Sequence, residues 1–328
     1  RFSRFLTRAV ADRRRRTAGY RGRPALHRLA AIEELEDRLL LTTWPASGTG
    51  WLDFTPWTQD GVYADVVPLD DKSNEIDRSL VGCVGTAMGQ IMQYWNYPSR
   101  LAFVDETTAD SYSYTAADST SVNIDNDAED YVFPTFDSLN SSLAEISYDL
   151  SDAEKADLSF AAGIKAVTYY SGAGSASYFS DASFHALGFG SADYANWNDQ
   201  TKTKVIENIK AGMPVALAIV GTDSTTGHRV YHAVVAEGYR DDNGDEFLIN
   251  LGSSAIDDKK WAELPEFTTL PVAWDEVSFA IFDIRPDLSW SQRFGNAQNT
   301  SRSPYKIPET VERRWHQETD SNHYLSIL

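Results

Sequence analysis

The chain holds one cysteine, Cys83, in the run Val81-Gly82-Cys83-Val84-Gly85-Thr86-Ala87-Met88-Gly89-Gln90-Ile91-Met92-Gln93-Tyr94-Trp95-Asn96-Tyr97-Pro98. A lone thiol cannot form an internal disulfide, so it either packs as a small apolar group or reacts as a nucleophile. Its position favours reaction. Val84, Ala87, Met88, Ile91 and Trp95 recur at helical spacing, which predicts a helix buried along one face and stopped by Pro98. Cys83 then lies in the first turn, where unpaired N–H groups and the helix dipole favour a thiolate. Gly85 and Gly89 predict close packing of this helix against a neighbour.

A thiolate nucleophile needs a base, a group to orient that base, and donors for the oxyanion. There are six histidines. His27, His316 and His323 fall in the terminal segments, and His185 falls in an aromatic, glycine-containing loop. His228 and His232 remain, in Gly227-His228-Arg229-Val230-Tyr231-His232-Ala233-Val234-Val235-Ala236-Glu237-Gly238-Tyr239. His232 opens an apolar strand whose packing would hold its ring, whereas His228 lies nearer the loop. His232 is therefore the candidate base.

The elements that must position these groups are partly legible. Ser151-Asp152-Ala153-Glu154 is a capping box that opens a helix through about Tyr170, ended by Gly172 and Gly174. A third helix is expected from about Thr201 to Lys210, with Gly212 and Pro214 preventing continuation. The run Val215–Val220 reads as a buried strand. A hairpin follows, Val230–Tyr239 against Glu246–Leu251, turning at Asp242-Asn243-Gly244-Asp245; its Asn-Gly pair explains that acidic turn without a calcium ion. Residues 106–130, rich in Ser, Thr and Asp, read as an exposed hairpin or insertion.

Charge divides the chain. Residues 1–44 hold eleven arginines and five acids, a charge of +6, so the remainder carries −25 of the net −19. Arg1 to about Thr43 reads as a flexible basic leader, residues 44–288 as the folded body, and residues 289–328 as a polar tail. An acidic body argues against a nucleic-acid partner. No apolar run approaches the ~18 residues of a membrane span. No His-Glu-x-x-His helix or phosphate-binding loop is present, so no metal or cofactor is expected. The ending of the leader, Leu35-Glu36-Asp37-Arg38-Leu39-Leu40-Leu41, resembles a short motif of some bacterial secreted and surface proteins. An extracellular or cell-surface location is expected.

The run from Gly82 to Pro98 resembles the nucleophile helix of the streptopain family, papain-like cysteine peptidases secreted by bacteria. His232-Ala233-Val234-Val235-Ala236-Glu237-Gly238-Tyr239 resembles the family's histidine motif, Trp57-Thr58-Gln59 its glutamine segment, and Gly212-Met213-Pro214-Val215 its approach to a strand. The resemblance spans roughly residues 44–285. It implies an α+β, papain-like fold in which the nucleophile helix packs on an antiparallel sheet bearing His232 and Asn250. It implies a secreted or surface-associated cysteine endopeptidase, a monomer acting on proteins or peptides. Cys83 would be the nucleophile and His232 the base. Gln59 would supply an oxyanion donor, and Asn250 would orient His232. One motif departs: the family has Trp-Gly-Trp-Gly-Gly after the asparagine, and this chain has Leu251-Gly252-Ser253-Ser254-Ala255. Those tryptophans would shield the ion pair. Their absence opens an alternative, a catalytically weak or inactive papain-like domain that binds protein.

Overall fold

Apolar spacing, a glycine N-cap and a left-handed asparagine produce the central helix, α1. It runs Cys83–Trp95 and ends where Asn96 takes φ 49° and donates its N–H back to the Gln93 carbonyl. This computed structural model describes residues 50–286, except 53–56, 74–76, 106, 108–109, 242–243, 254–258 and 270. The leader, the tail and Asp242-Asn243 of the hairpin turn lie outside the described residues.

In chain order the elements are β1 (Gly50–Trp51), a 3-10 turn (Gly61–Ala64), α1, β2 (Ser113–Thr115), β3 (Ser121–Asn123), α2 (Phe136–Ser142), α3 (Asp152–Lys165), α4 (Asp181–Ala186), β4 (Phe189–Asn196), α5 (Asp199–Lys210), β5 (Val215–Asp223), β6 (Arg229–Arg240), β7 (Glu246–Asn250), β8 (Lys259–Glu263), β9 (Phe267–Thr269) and β10 (Val272–Pro286). The main sheet is antiparallel in the order β4-β10-β5-β6-β7-β8, with β1 added to β6 and β9 to β10.

Both faces of this sheet are buried, which explains why β5 and β6 read as continuous apolar runs rather than alternating ones. Ala216, Ala233, Val235 and Ile281 face the core built around α1 and α3, while Leu217, Val234, Ala236 and Phe282 join Val205 and Ile209 of α5 on the other side. The two small residues of α1 permit close approach. A Cβ on Gly85 would come within 3.5 Å of the α3 backbone at Ser159 and Gly163, and one on Gly89 would lie 2.2 Å from the Trp57 ring.

Two expectations need correction. The capping box forms, with Ser151 and Glu154 bonded reciprocally, but α3 stops at Lys165 rather than near Tyr170. Thr168 donates its N–H to the Gly163 carbonyl, and Tyr169 leaves the helix to pair with Ala176. The hairpin in residues 106–130 exists as β2–β3, but it is not an exposed insertion. Tyr114, Val122 and Ile124 are buried, and the Tyr114 ring packs against Tyr169 and Tyr170 at centroid distances of 6.2 and 6.0 Å. The alternation that identifies the hairpin sends Ser113, Thr115 and Ser121 outward and its apolar residues into the core.

Candidate active site

The segment leading into α1 is clamped on both sides. The Val81 N–H donates to the Gln59 carbonyl at 2.9 Å, the Leu80 N–H to the Ser171 carbonyl at 3.2 Å, and Ser175 Oγ to the Leu80 carbonyl at 2.7 Å. Gly82 follows at φ 87°, a conformation that favours glycine, and a Cβ there would press on Ser175 Cβ at 3.1 Å. This turn delivers Cys83 to the first position of α1, half-buried, with the Val84 N–H of the first helical turn bonded to its sulfur.

His232 reaches Cys83 from β6 and hydrogen-bonds its sulfur. Burial pushes the Cys83 thiol up. The His232 hydrogen bond, the His232 charge and backbone N–H groups of Ala233 and Val84 together outweigh it, so the thiol lies below its ordinary value. His232 Nε2 lies 2.7 Å from the Leu251 carbonyl oxygen. A carbonyl only accepts, so Nε2 carries a proton and Nδ1 is left to share one with the sulfur.

Asn250 stands elsewhere than the resemblance implies. Its side chain is buried at the end of β7, where Oδ1 accepts from Gln90 Nε2 and from the Gly252 N–H, both at 3.1 Å. Its Nδ2 donates to Glu237 Oε2 at 3.4 Å. The ring is oriented instead by the backbone carbonyl one residue later. Asn250 shapes the turn that presents this carbonyl, an Asx-type bond closing on Gly252 at φ 56°. Gln90 also donates to the Trp57 carbonyl at 3.4 Å, and Lys259 Nζ pairs with Glu237 Oε1 at 2.7 Å. A buried polar chain therefore joins α1, β6, β7 and β8 beneath the site. Gln59 is half-buried, and its backbone carbonyl is tied to Val81, two residues before Cys83.

Of the remaining histidines in the described residues, His228 is exposed, and His185 Nδ1 lies 3.0 Å from the Phe189 carbonyl at the start of β4. Several contributors escaped the sequence reading. The Leu251 carbonyl gives no sequence signal, because every residue has one. Gln90 had a signal: it lies seven residues after Cys83, a polar side chain on the buried stripe of α1. Trp274, whose ring stacks on His232 with centroids 5.7 Å apart and planes at 24°, belongs to a strand 42 residues away in sequence. Among the described residues no cluster of metal-ligating side chains occurs, and no helix is long and apolar enough to cross a membrane.

Comparison with known proteins identifies the family and the fold. Residues 57–259 match the Peptidase C10 family. The active wild-type interpain A cysteine protease of Prevotella intermedia is similar in fold, with TM-score 0.53 and 21% identity over 73% of this chain and 95% of that one. A mutant prointerpain A fragment from the same organism aligns at TM-score 0.48 and 18% identity over 79% of this chain and 82% of that one. A search of curated proteins finds no match. The fold is the α+β one of papain-like cysteine proteases, an antiparallel sheet carrying His232 against the helix that begins at Cys83. The family match covers more than half of the chain, and this protein is a cysteine peptidase belonging to the Peptidase C10, or streptopain, family.

Proposed function

We propose that the protein is an endopeptidase working through a Cys83–His232 thiolate–imidazolium pair, outside the cytoplasm and as a monomer, on protein or peptide substrates. The Cys83 sulfur attacks the scissile carbonyl carbon, and the resulting oxyanion is held by the Cys83 backbone N–H and the Gln59 side chain. The carbon–nitrogen bond then breaks as His232 gives its proton to the leaving amine, producing a thioester. Water attacks that thioester while His232 takes up a proton, and the carboxylic product leaves with Cys83 restored as thiolate. The observation that carries this reading is the hydrogen bond between His232 and the Cys83 sulfur, made by a ring whose Nε2 is fixed on the Leu251 carbonyl. The Leu251 bond keeps the ring in one tautomer through the cycle. The extracellular location draws on the acidic body and the leader motif.

The test is covalent labelling by an epoxysuccinyl peptide inhibitor, read by intact mass from pH 4 to 9. Stoichiometric labelling of Cys83 below pH 7, lost in Cys83→Ala and moved to higher pH in His232→Ala, is expected. Labelling of the wild type only near the free-thiol value of about 8.5 would refute the pair.

A further inference from the structure

The His232 ring has two faces, and one is covered by the indole of Trp274, centroids 5.7 Å apart and planes at 24°. Phe267 also stacks on the indole, at 6.1 Å and 29°, so Trp274 belongs to a group of three aromatic rings. The indole is fixed within it: Nε1 donates to Thr269 Oγ1 at 2.6 Å, and the residue is buried. Gly221, the β5 partner of Trp274, leaves the room, since a Cβ there would lie 2.9 Å from the indole Cε3. Leu251-Gly252-Ser253, at the other end of the imidazole, brings no aromatic ring. The bond between His232 Nε2 and the Leu251 carbonyl at 2.7 Å would otherwise compete with water.

We propose that Trp274 is a positioning residue for catalysis: it covers the His232 ring and shields the Nε2–H···O=C Leu251 bond, a role filled from β10 rather than from the segment after Asn250. The inference rests on the assignment of Cys83 and His232 as nucleophile and base. An indole face both excludes water and attracts an imidazolium through its quadrupole. Among the described residues, the charged groups beside these rings are the Cys83 sulfur, which shares the His232 proton, Lys260, whose ammonium donates to the Thr268 carbonyl next to Phe267, and Asp275 and Glu276, which follow Trp274 on β10. Both carboxylates are exposed and held by Arg229 at 2.6 and 3.0 Å, so the field they exert on the ring is screened. Trp274 therefore supports the imidazolium, and with it the thiolate.

The experiment compares wild type, Trp274→Leu, Trp274→Phe and Thr269→Val, each checked for native melting. It measures kcat and KM on a peptide substrate and the rate of Cys83 alkylation by iodoacetamide at pH 6 relative to pH 9. Trp274→Leu should lower kcat and the pH 6 to pH 9 ratio by about tenfold at little change in KM. Trp274→Phe, which keeps a flat ring, should recover most of both. Thr269→Val, which keeps the indole but removes its orienting bond, should lose about threefold in the ratio. A purely structural role for Trp274 leaves the pH ratio unmoved. Folded Trp274→Leu with wild-type kcat and ratio overturns the shield alone. If that variant does not fold, an unchanged ratio in both Trp274→Phe and Thr269→Val overturns it. Wild type that alkylates only as pH approaches the free-thiol value overturns the Cys83–His232 pair, and the shield with it.

Discussion

Replacing Asn250 by alanine separates two ways in which an asparagine serves a cysteine peptidase. If its side chain held His232 directly, the substitution would cripple catalysis and spare the fold. The geometry assigns the opposite pattern. The change removes three bonds inside the protein: from Gln90 at 3.1 Å, from the Gly252 N–H at 3.1 Å, and to Glu237 at 3.4 Å. Gln90 and Glu237 are buried at 1% and 0% exposure, so water cannot readily replace the lost partner. Gln90 keeps a long bond to the Trp57 carbonyl, and Glu237 keeps Lys259. Each buried partner left short costs about 1–3 kcal/mol, the lower end applying where another bond survives, for a total of about 3 kcal/mol. With a urea slope of about 2–3 kcal/mol per molar, the unfolding midpoint should fall by roughly 1 M. The Leu251 carbonyl is backbone; the register of β7 on β6 and β8 holds the chain as far as Asn250, so losing the Asx bond loosens the turn that presents this carbonyl without removing the carbonyl itself. The loss in kcat/KM should therefore stay near tenfold or below, short of the roughly 100-fold that a 1 Å misplacement brings. Urea denaturation and peptide hydrolysis on one preparation decide the matter. A variant as stable as wild type within about 0.5 kcal/mol, yet with activity down a thousandfold, would refute the assignment of ring orientation to Leu251.

Gly89→Ala drives a Cβ into the Trp57 ring at 2.2 Å, and that ring is buried and tied to Gln93 Oε1 by a 2.6 Å bond, so it cannot step aside. A loss of about 2–3 kcal/mol is expected in thermal or urea melts, and a melt unchanged from wild type would contradict the close packing. Lys259→Met leaves the Glu237 carboxylate buried without its 2.7 Å cation; since the lysine is itself partly exposed, about 3 kcal/mol is expected, and Glu237→Gln in the same chain should return part of it. In pH terms, the His232 bond holds Cys83 below its ordinary thiol value, so the thiolate is favoured once pH exceeds this lowered value and is lost as pH falls through it. Activity should accordingly rise along an acid limb lying below the thiol range in wild type, and the limb for alkylation should move upward in His232→Ala, where burial dominates; coincident limbs would exclude the coupling.

Much that is local could be read from the residues alone. Helix α1, the Ser151–Glu154 box and the β6–β7 hairpin follow from spacing and capping, because a helix turn, a reciprocal cap and a tight turn each involve residues a few positions apart. Boundaries were less legible where tertiary contacts compete with local preference. The helix at Ser151 ends before Tyr170, and Tyr169 and Tyr170 pack on Tyr114, a residue more than fifty positions earlier, instead of continuing the turn. A serine- and aspartate-rich stretch looked exposed because composition averages over two faces, only one of which is polar in β2–β3.

The chemistry of the site divides in the same way. Residue type settled which groups could react: one thiol, few histidines, and a helix start and a strand start to hold them. Which groups tune the reaction was decided by distance in space. Asn250 pointed to the correct turn, but a backbone carbonyl orients the ring, and no sequence marks one carbonyl among hundreds. Trp274 reaches His232 only because β10, β5 and β6 lie side by side in one sheet. Sequence determines the reactive atoms and the local turns that carry them; strand pairing across long separations determines the environment that sets their charge, because burial and electrostatic coupling depend on proximity in the folded chain rather than along it.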